Sequence, residues 1–217
     1  MQAPRTRVEP VQARLRSAIL SGELAPGAKL PLAELAGRLE CRVGLVREAL
    51  IRLASESLVV SEPQVGFRVA PVSARDLREL IETRCVIECE AFLRAIEEGS
   101  REWEGAVMAA YHTLEGLEHD DGVRTSGEWV AAHRRFHEVL IEGCNNRRMI
   151  AVTMSLRDSA ELYRSSSTAS MTDGQSAHRD SEHLALRDAA LTRDVVGGPA
   201  LLREHIRMTA HYFNLSH

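Results

Sequence analysis

The first 72 residues contain three short amphipathic helical patterns, followed by two β-branched runs. In VQARLRSAILSGEL, four apolar residues share one helical face before the turn APGAKL: Val11, Leu15, Ile19 and Leu20. A second short helix opens at Pro31, and a third runs through GLVREALIRLASES. The pieces LVV and FRVAPV are separated by SEPQVG, whose Pro63 and Gly66 suit a hairpin turn. This order predicts three helices and a β-hairpin in one small domain.

Three helices and a hairpin within residues 1–72 predict a winged helix-turn-helix, in which the third helix can enter a major groove. Residues 1–75 hold 11 Lys and Arg against 7 Asp and Glu, a net charge of +4, whereas the whole chain has a net charge of −4. A basic segment on an acidic chain suggests contact with a polyanion, although +4 is also compatible with an ordinary surface. A winged helix that mediates only protein contacts is the alternative.

Helical periodicity continues from Ser73 to the end of the chain. A long helix opens with a capping-box-like pair, Ser73 and Asp76, and further helices are legible in 101–119, 126–142, 146–166, 175–192 and 198–215. The serine-rich stretch 165–176 is expected to be a flexible loop. The predicted fold class is mainly α: a winged helix-turn-helix in residues 1–72, then an all-α antiparallel helical bundle in residues 73–217.

The sequence predicts a cytoplasmic protein with no membrane partner. Its apolar runs are shorter than the roughly 20 residues of a membrane span, and the start MQAPRTRVEP lacks the apolar core of a signal peptide. The four cysteines form no CxxC motif and are expected to be reduced thiols, with Cys85 and Cys89 as small apolar residues on a buried helix face.

Four histidines of the second half are candidates for a shared site. His133 and His137 lie four residues apart, so both leave one face of a helix. His183 and His205 each follow a glutamate on successive helices, which can run antiparallel and present both rings at one level. Four ring nitrogens from three helices are enough to hold a metal in a bundle core. From the residues alone, a coincidental set of core or surface histidines stays equally open.

The N-terminal motifs resemble a known family. The series IL.GEL.PG..L, LA..L, VREAL..L..E.LV and G..V looks like the DNA-binding domain of GntR-type bacterial transcription regulators over residues 11–71. The family usually has a Ser-Arg pair where this chain has Arg42 and Val43, so one arginine aimed at DNA is missing, whereas Arg47 is retained. The resemblance implies a homodimer on an inverted-repeat operator in double-stranded DNA. Arg42 and Arg47 would contact the DNA, and the wing around Gly66 and Arg68 its backbone.

The C-terminal motifs FH..L......N and EH..L.DA...RD......L..HI look like the FCD-type ligand-binding domain of the FadR subdivision of that family, over about residues 76–215. In metal-binding members, the matching positions hold a divalent ion. They correspond to His133, His137, His183 and His205, with an aspartate usual at the first. Because imidazole replaces a carboxylate there, Zn or Ni is the expected metal. The alternative is a metal-free pocket in which the histidines hydrogen-bond to one another and to an effector.

The resemblance also implies a small organic-acid effector and regulation of transcription, with repression the favoured mode. Arg84 matches a pocket-facing arginine that could clamp a carboxylate; its alternative is a surface partner for Glu82 or Glu88. Arg157, with Ser159 and Arg164, could contribute from a neighbouring helix. An effector-free dimerisation bundle stays possible. A metal-dependent enzyme is disfavoured because HRRFH lacks the internal glutamate of an HExxH helix, so the prediction is that the protein is not an enzyme.

Overall fold

The computed structural model describes residues 7–118, 127–167 and 173–212. The chain divides into two compact units. The first unit comprises Met1–Asp76 together with Asp158–Ser166, and the second comprises Leu77–Arg157 together with Ser167–His217.

The first unit is a winged helix-turn-helix, as the sequence predicted. Its elements are α1 (Val8–Leu20), α2 (Leu32–Arg38), α3 (Val43–Ser55), β1 (Val59–Glu62) and β2 (Gly66–Val69). The two strands pair in antiparallel fashion, with Val59 opposite Val69 and Glu62 opposite Gly66. The predicted turn SEPQVG is therefore shorter than expected, because Ser61, Glu62 and Gly66 belong to the strands. Gly66 has φ +114°, a backbone angle that glycine adopts without the clash of a Cβ atom.

The core of the first unit is built from the predicted helical faces. The four apolar residues singled out on α1 are all buried, and α3 buries Val46, Ala49, Leu50 and Leu53. Leu162, distant in sequence, belongs to the same apolar cluster. Burial of these faces supplies the driving force that short helices lack in isolation.

The remaining elements are helical. They are α4 (Ala74–Glu98), α5 (Arg101–Glu118), α6 (Gly127–Glu142), α7 (Arg147–Ser167), α8 (Asp173–Leu191) and α9 (Gly197–Tyr212). Within the second unit, α5 packs against α6 and α8, and α8 packs against α9. Helix α7 contributes to both units: residues 147–157 and Ser167 belong to the second unit, and Asp158–Ser166 belongs to the first. The mainly α fold class is thus confirmed.

The loop expected over residues 165–176 is wrong at both of its ends. Residues 165–167 continue α7, and residues 173–176 already belong to α8. Serine costs only about 0.5 kcal/mol relative to alanine inside a helix, so a serine-rich composition does not by itself end one. Residues 168–172, and the predicted helix ends at 119, 126 and 213–215, lie outside the described residues.

The start of α4 confirms half of the predicted capping box. The backbone N–H of Asp76 donates to the Ser73 hydroxyl over 3.1 Å. The Asp76 carboxylate instead accepts a hydrogen bond from the Tyr163 hydroxyl. Both ends of this contact lie in the first unit.

Nothing in the described stretches of chain is a helix long and apolar enough to cross a bilayer.

Candidate functional site

Three helices of the second unit bring the four predicted histidines together. Helix α6 carries His133 and His137, α8 carries His183, and α9 carries His205. One candidate ligand atom from each ring lies within 4.8 Å of every other. Neighbouring ring centroids are 4.7 Å apart for His133 and His137, and 4.9 Å apart for His137 and His205.

These spacings fit a divalent transition metal. A zinc–imidazole bond is about 2.1 Å long, so two nitrogens of a tetrahedral zinc site stand about 3.4 Å apart. The four ligand atoms lie within 4.8 Å of one another, so they converge on one point, and the side chains would draw closer together around a bound ion. Neutral imidazole is the ligand that zinc, nickel, cobalt and copper share. The donor set therefore fits the metal class that the sequence predicted.

Burial keeps two of these histidines in the neutral form that coordinates metals. His137 is 2% exposed and His205 is 5% exposed. Desolvation, followed by nearby cationic groups, lowers the pKa of both rings well below the usual value. Neither ring nitrogen of His137 has a hydrogen-bond partner among the described residues. Because an unsatisfied buried polar group costs about 1–3 kcal/mol, a bound ion would relieve part of that cost.

An aromatic residue that the sequence analysis did not single out supports His133. The Trp129 ring stacks on the His133 imidazole, with 4.7 Å between centroids and an interplanar angle of 16°. Trp129 lies four residues earlier on α6, so helical geometry alone places the two rings in contact. The guanidinium of Arg179, which is buried, lies 5.8 Å from the centre of the Trp129 ring.

The carboxylate of Glu182 contacts the histidine cluster at His205. Glu182 Oε2 lies 2.9 Å from His205 Nδ1. Its other oxygen lies 3.5 Å from His178 Nε2, one turn earlier on α8. Burial raises the pKa of the Glu182 carboxyl, and the nearby His178, His183 and Arg179 oppose that effect.

Arg84 belongs to a buried ion-pair network. Glu88, one turn later on α4, is fully buried and accepts from Arg84 Nη2 at 3.3 Å and from Arg157 Nη1 at 2.8 Å. Burial would raise the pKa of Glu88, but the guanidinium groups of Arg84 and Arg157 outweigh that effect, and the pKa lies below its usual value. Two guanidinium groups thus share this one carboxylate. Arg84 is therefore buried at 5% exposure, and its partner is Glu88.

Arg157 and the other two polar residues of α7 fall in different units. Arg157 belongs to the second unit with Glu88, whereas Ser159 and Arg164 belong to the first unit. Arg157 also contributes to the electrostatic lowering of the pKa values of His137 and His205.

The residues predicted to contact DNA lie on the winged-helix unit. Arg42 precedes α3 as its N-cap residue, and Arg47 lies on that helix; both are exposed, and neither forms an ion pair with another described residue. Arg68 on β2 is held within the unit: its Nε donates to Glu62 at 3.2 Å, and its Nη1 to the Gly27 carbonyl at 3.3 Å. The wing arginine is thus fixed to the hairpin and to the loop before α2.

Comparison with known proteins gives two family matches. The profile of bacterial regulatory proteins of the gntR family matches residues 7–69, and the FCD domain matches residues 79–208. The chain belongs to the GntR family. The predicted boundary between residues 72 and 73 lies in the gap between the two matches. As a GntR regulator with an FCD domain, the protein is a DNA-binding transcriptional regulator.

The relatives of this GntR protein are regulators as well. It is 38% identical to the HTH-type transcriptional regulator BphR of Paraburkholderia xenovorans, over 93% of this chain and 83% of the relative. It is 32% identical to the HTH-type transcriptional repressor GlaR of Escherichia coli, over 88% of this chain and 89% of that one. The structure of Escherichia coli McbR/YncC shares the fold, with a TM-score of 0.83 at 20% identity over 95% of this chain and 96% of McbR. These families and relatives are transcriptional regulators and not enzymes, as the sequence predicted.

Sequence reasoning found the four histidines but missed the groups around them. Glu88 was considered only as a surface partner, because an Arg and a Glu four residues apart look alike on a buried or an exposed face. Trp129 could have been found from its spacing to His133. The contact of Glu182 with His205 joins two helices, and no local spacing signals it.

Proposed function

We propose that this GntR regulator is a metal-containing, effector-responsive repressor. The convergence of four imidazoles in the second unit is the observation that supports the metal. His133, His137, His183 and His205 would hold one divalent ion, Zn or Ni rather than Mg or Mn, because no carboxylate is among the four. A bound ion of this kind supplies a Lewis-acidic point that accepts an oxygen of a small carboxylate.

Arg84 and Arg157 would attract the effector. Two guanidinium groups meet at the single carboxylate of Glu88, and a cluster of cationic groups of this kind would attract an anion. Glu88 occupies the Nε and Nη2 edge of Arg84. The carboxylate would therefore be held by the charge of the pair and by the remaining donors rather than by a two-point clamp on that edge.

The regulator would act as a homodimer in the cytoplasm and would bind an inverted repeat in double-stranded DNA. Arg42 and Arg47, exposed and free of ion pairs with other described residues, would contact the DNA, and the wing at Gly66 and Arg68 would approach its backbone. The named function of GlaR, a repressor, favours repression. Effector binding would change operator affinity only if the effector binds the two DNA-binding states of the dimer unequally.

Metal binding is tested by elemental analysis of protein purified without a nickel column. We expect about one divalent ion per chain in the wild type and loss of that ion in His137→Ala. The matched control is His112→Ala, which removes an exposed histidine from α5. A wild type without metal, or a His137→Ala variant that keeps it, would contradict the metal proposal and favour the metal-free pocket.

DNA contact is tested with a duplex selected from a random library by the wild type. Loss of one arginine contact should weaken binding by about 1–3 kcal/mol, roughly 5- to 150-fold, in Arg47→Ala. Arg52→Ala is the matched control, because it removes the same charge from α3 at a side chain already paired with Glu48. Equal affinity of the two variants would count against the role of Arg47.

Titration of the wild-type complex with succinate, malonate and citrate tests the effector class. Release of the duplex by one of them supports a carboxylate effector, and release by none contradicts it.

A further inference from the structure

We propose that Glu182 is the positioning residue of the metal site and that it fixes His205 to bind metal through Nε2. The inference rests on the proposed metal function and deepens it. Glu182 lies on α8 beside the ligand His183, and its Oε2 reaches His205 Nδ1 on α9 at 2.9 Å. The His205 and Glu182 side chains are only 6% and 14% exposed.

The contact selects one tautomer of the His205 ring. In this contact an ionised Glu182 carboxylate would accept the hydrogen bond, since it has no proton to donate, and Nδ1 would carry the proton. The other nitrogen, Nε2, then carries the lone pair and would be the atom that coordinates the ion. A carboxylate behind a metal-binding histidine also increases the basicity of the ring and holds its orientation.

The same carboxylate supplies charge that the ligand set lacks. Four neutral imidazoles would leave the full 2+ charge of a bound ion uncompensated, because none of the four ligands is a carboxylate. The nearby carboxylate of Glu88 is already shared by Arg84 and Arg157. Glu182 puts a carboxylate one hydrogen bond away from a proposed ligand, so its negative charge would partly balance the charge of the ion through the His205 ring.

His137 provides an internal contrast. Both of its ring nitrogens lack a hydrogen-bond partner among the described residues. Its tautomer is therefore not fixed by a neighbour, in contrast to that of His205. Packing against neighbouring rings holds the His137 ring in place, but of these two histidines His205 is the one with a described hydrogen bond that can select its tautomer.

Two substitutions separate the charge from the orientation. Glu182→Gln keeps a carbonyl oxygen that can accept from Nδ1 but removes the negative charge, whereas Glu182→Ala removes both. Affinity for Zn²⁺ is measured on the full chain by competition with a chromophoric chelator. We expect Glu182→Ala to weaken Zn²⁺ binding by about 10- to 100-fold, within the usual range for such partners, and Glu182→Gln to weaken it less. Asp188→Ala is the matched control, because it removes an exposed carboxylate from the same helix, and it should bind Zn²⁺ as the wild type does.

A second measurement does not need metal. In the metal-free protein labelled with ¹⁵N-histidine, the nitrogen shifts of His205 should report a protonated Nδ1 in the wild type and a mixture of tautomers in Glu182→Ala. A merely structural role would lower thermal stability without changing the tautomer. A wild type that binds no Zn²⁺ would overturn the metal function itself. Tight binding by the wild type with equal affinity in Glu182→Ala, or a protonated Nε2 on wild-type His205, would overturn the role of Glu182 alone.

Discussion

Replacing Glu88 by Gln should strongly destabilise the second unit. The carboxylate is fully buried and accepts from Arg84 Nη2 at 3.3 Å and from Arg157 Nη1 at 2.8 Å. The amide keeps the shape but removes the negative charge that the buried Arg84 and the largely buried Arg157 share. Breaking a buried pair in this way costs about 3–5 kcal/mol. At about 2–4 °C per kcal/mol for a chain of this size, the melting temperature should fall by roughly 6–20 °C.

The chain offers a matched control and a selective probe. Glu90→Gln is the same substitution on the same helix in the same i,i+4 arrangement, but its partner Arg94 is 41% exposed. An exposed pair of this kind contributes about 0.3–0.5 kcal/mol. The two tryptophans of the chain, Trp103 and Trp129, both lie in the second unit, so urea unfolding followed by their fluorescence reports on the unit that contains Glu88.

The pH dependence of the free energy of unfolding gives an independent test of whether ionised Glu88 stabilises the fold. The pKa of Glu88 is lower in the folded protein than its ordinary value of 4.5. Its ionised form therefore stabilises the fold fully above about pH 4.5, and the contribution is lost as the pH falls through the folded pKa. The difference in unfolding free energy between wild type and Glu88→Gln should be constant near neutrality and shrink in acid. A Glu88→Gln variant within about 1 kcal/mol of Glu90→Gln at pH 7 would refute the argument, since a broken buried pair costs several times that amount.

Two further predictions concern other parts of the chain. In Asp158→Ala, Arg16 loses a buried partner in the first unit. Scanning calorimetry should show that the melting transition of that unit falls by an amount equivalent to about 1–3 kcal/mol. The control is Glu23→Ala, which removes the exposed partner of Arg38 and should have little effect; equal effects of the two substitutions would contradict the role of Asp158. Burial raises the pKa of the Cys89 thiol to about 12, so at pH 8 only about one thiol in ten thousand is ionised. Alkylation of Cys89 by iodoacetamide should therefore be far slower in the native protein than after unfolding, as measured by mass spectrometry of timed digests. Rapid alkylation of the native protein would show that the thiol is not shielded.

Much of the winged-helix unit could be predicted from the sequence because its signals are local. The apolar stripe of α1 and the β-branched runs of the hairpin follow from periods of 3.6 and 2 residues. The loop expected at 165–176 failed because composition is a weak guide where a helix continues. The four histidines were accessible through the spacing of His133 and His137 and through the family motifs. Their hydrogen-bond partners depend on how α8 and α9 pack, which no single-chain periodicity encodes.

The residue spacing in the sequence also did not determine which side chains of α4 are buried. Arg84 and Glu88 have the spacing of an ordinary surface pair, yet both are buried. Conversely, Val86, among the apolar positions of α4, is 67% exposed. A helix as long as α4 has room for several faces, and one sequence does not say which of them meets another helix.

The membership of Asp158–Ser166 in the first unit limits how this regulator can be dissected or recombined. Leu162 completes the apolar core of the winged helix, and the Tyr163 hydroxyl contacts Ser73 and Asp76. A chimera that grafts residues 1–72 onto a foreign ligand-binding domain would therefore lack part of its own interior. Transplanting the 158–166 segment together with residues 1–72 should restore the solubility and the cooperative melting of the chimera. Among natural homologues, the same dependence would make Leu162 vary together with its partners in the N-terminal core rather than with its neighbours along α7.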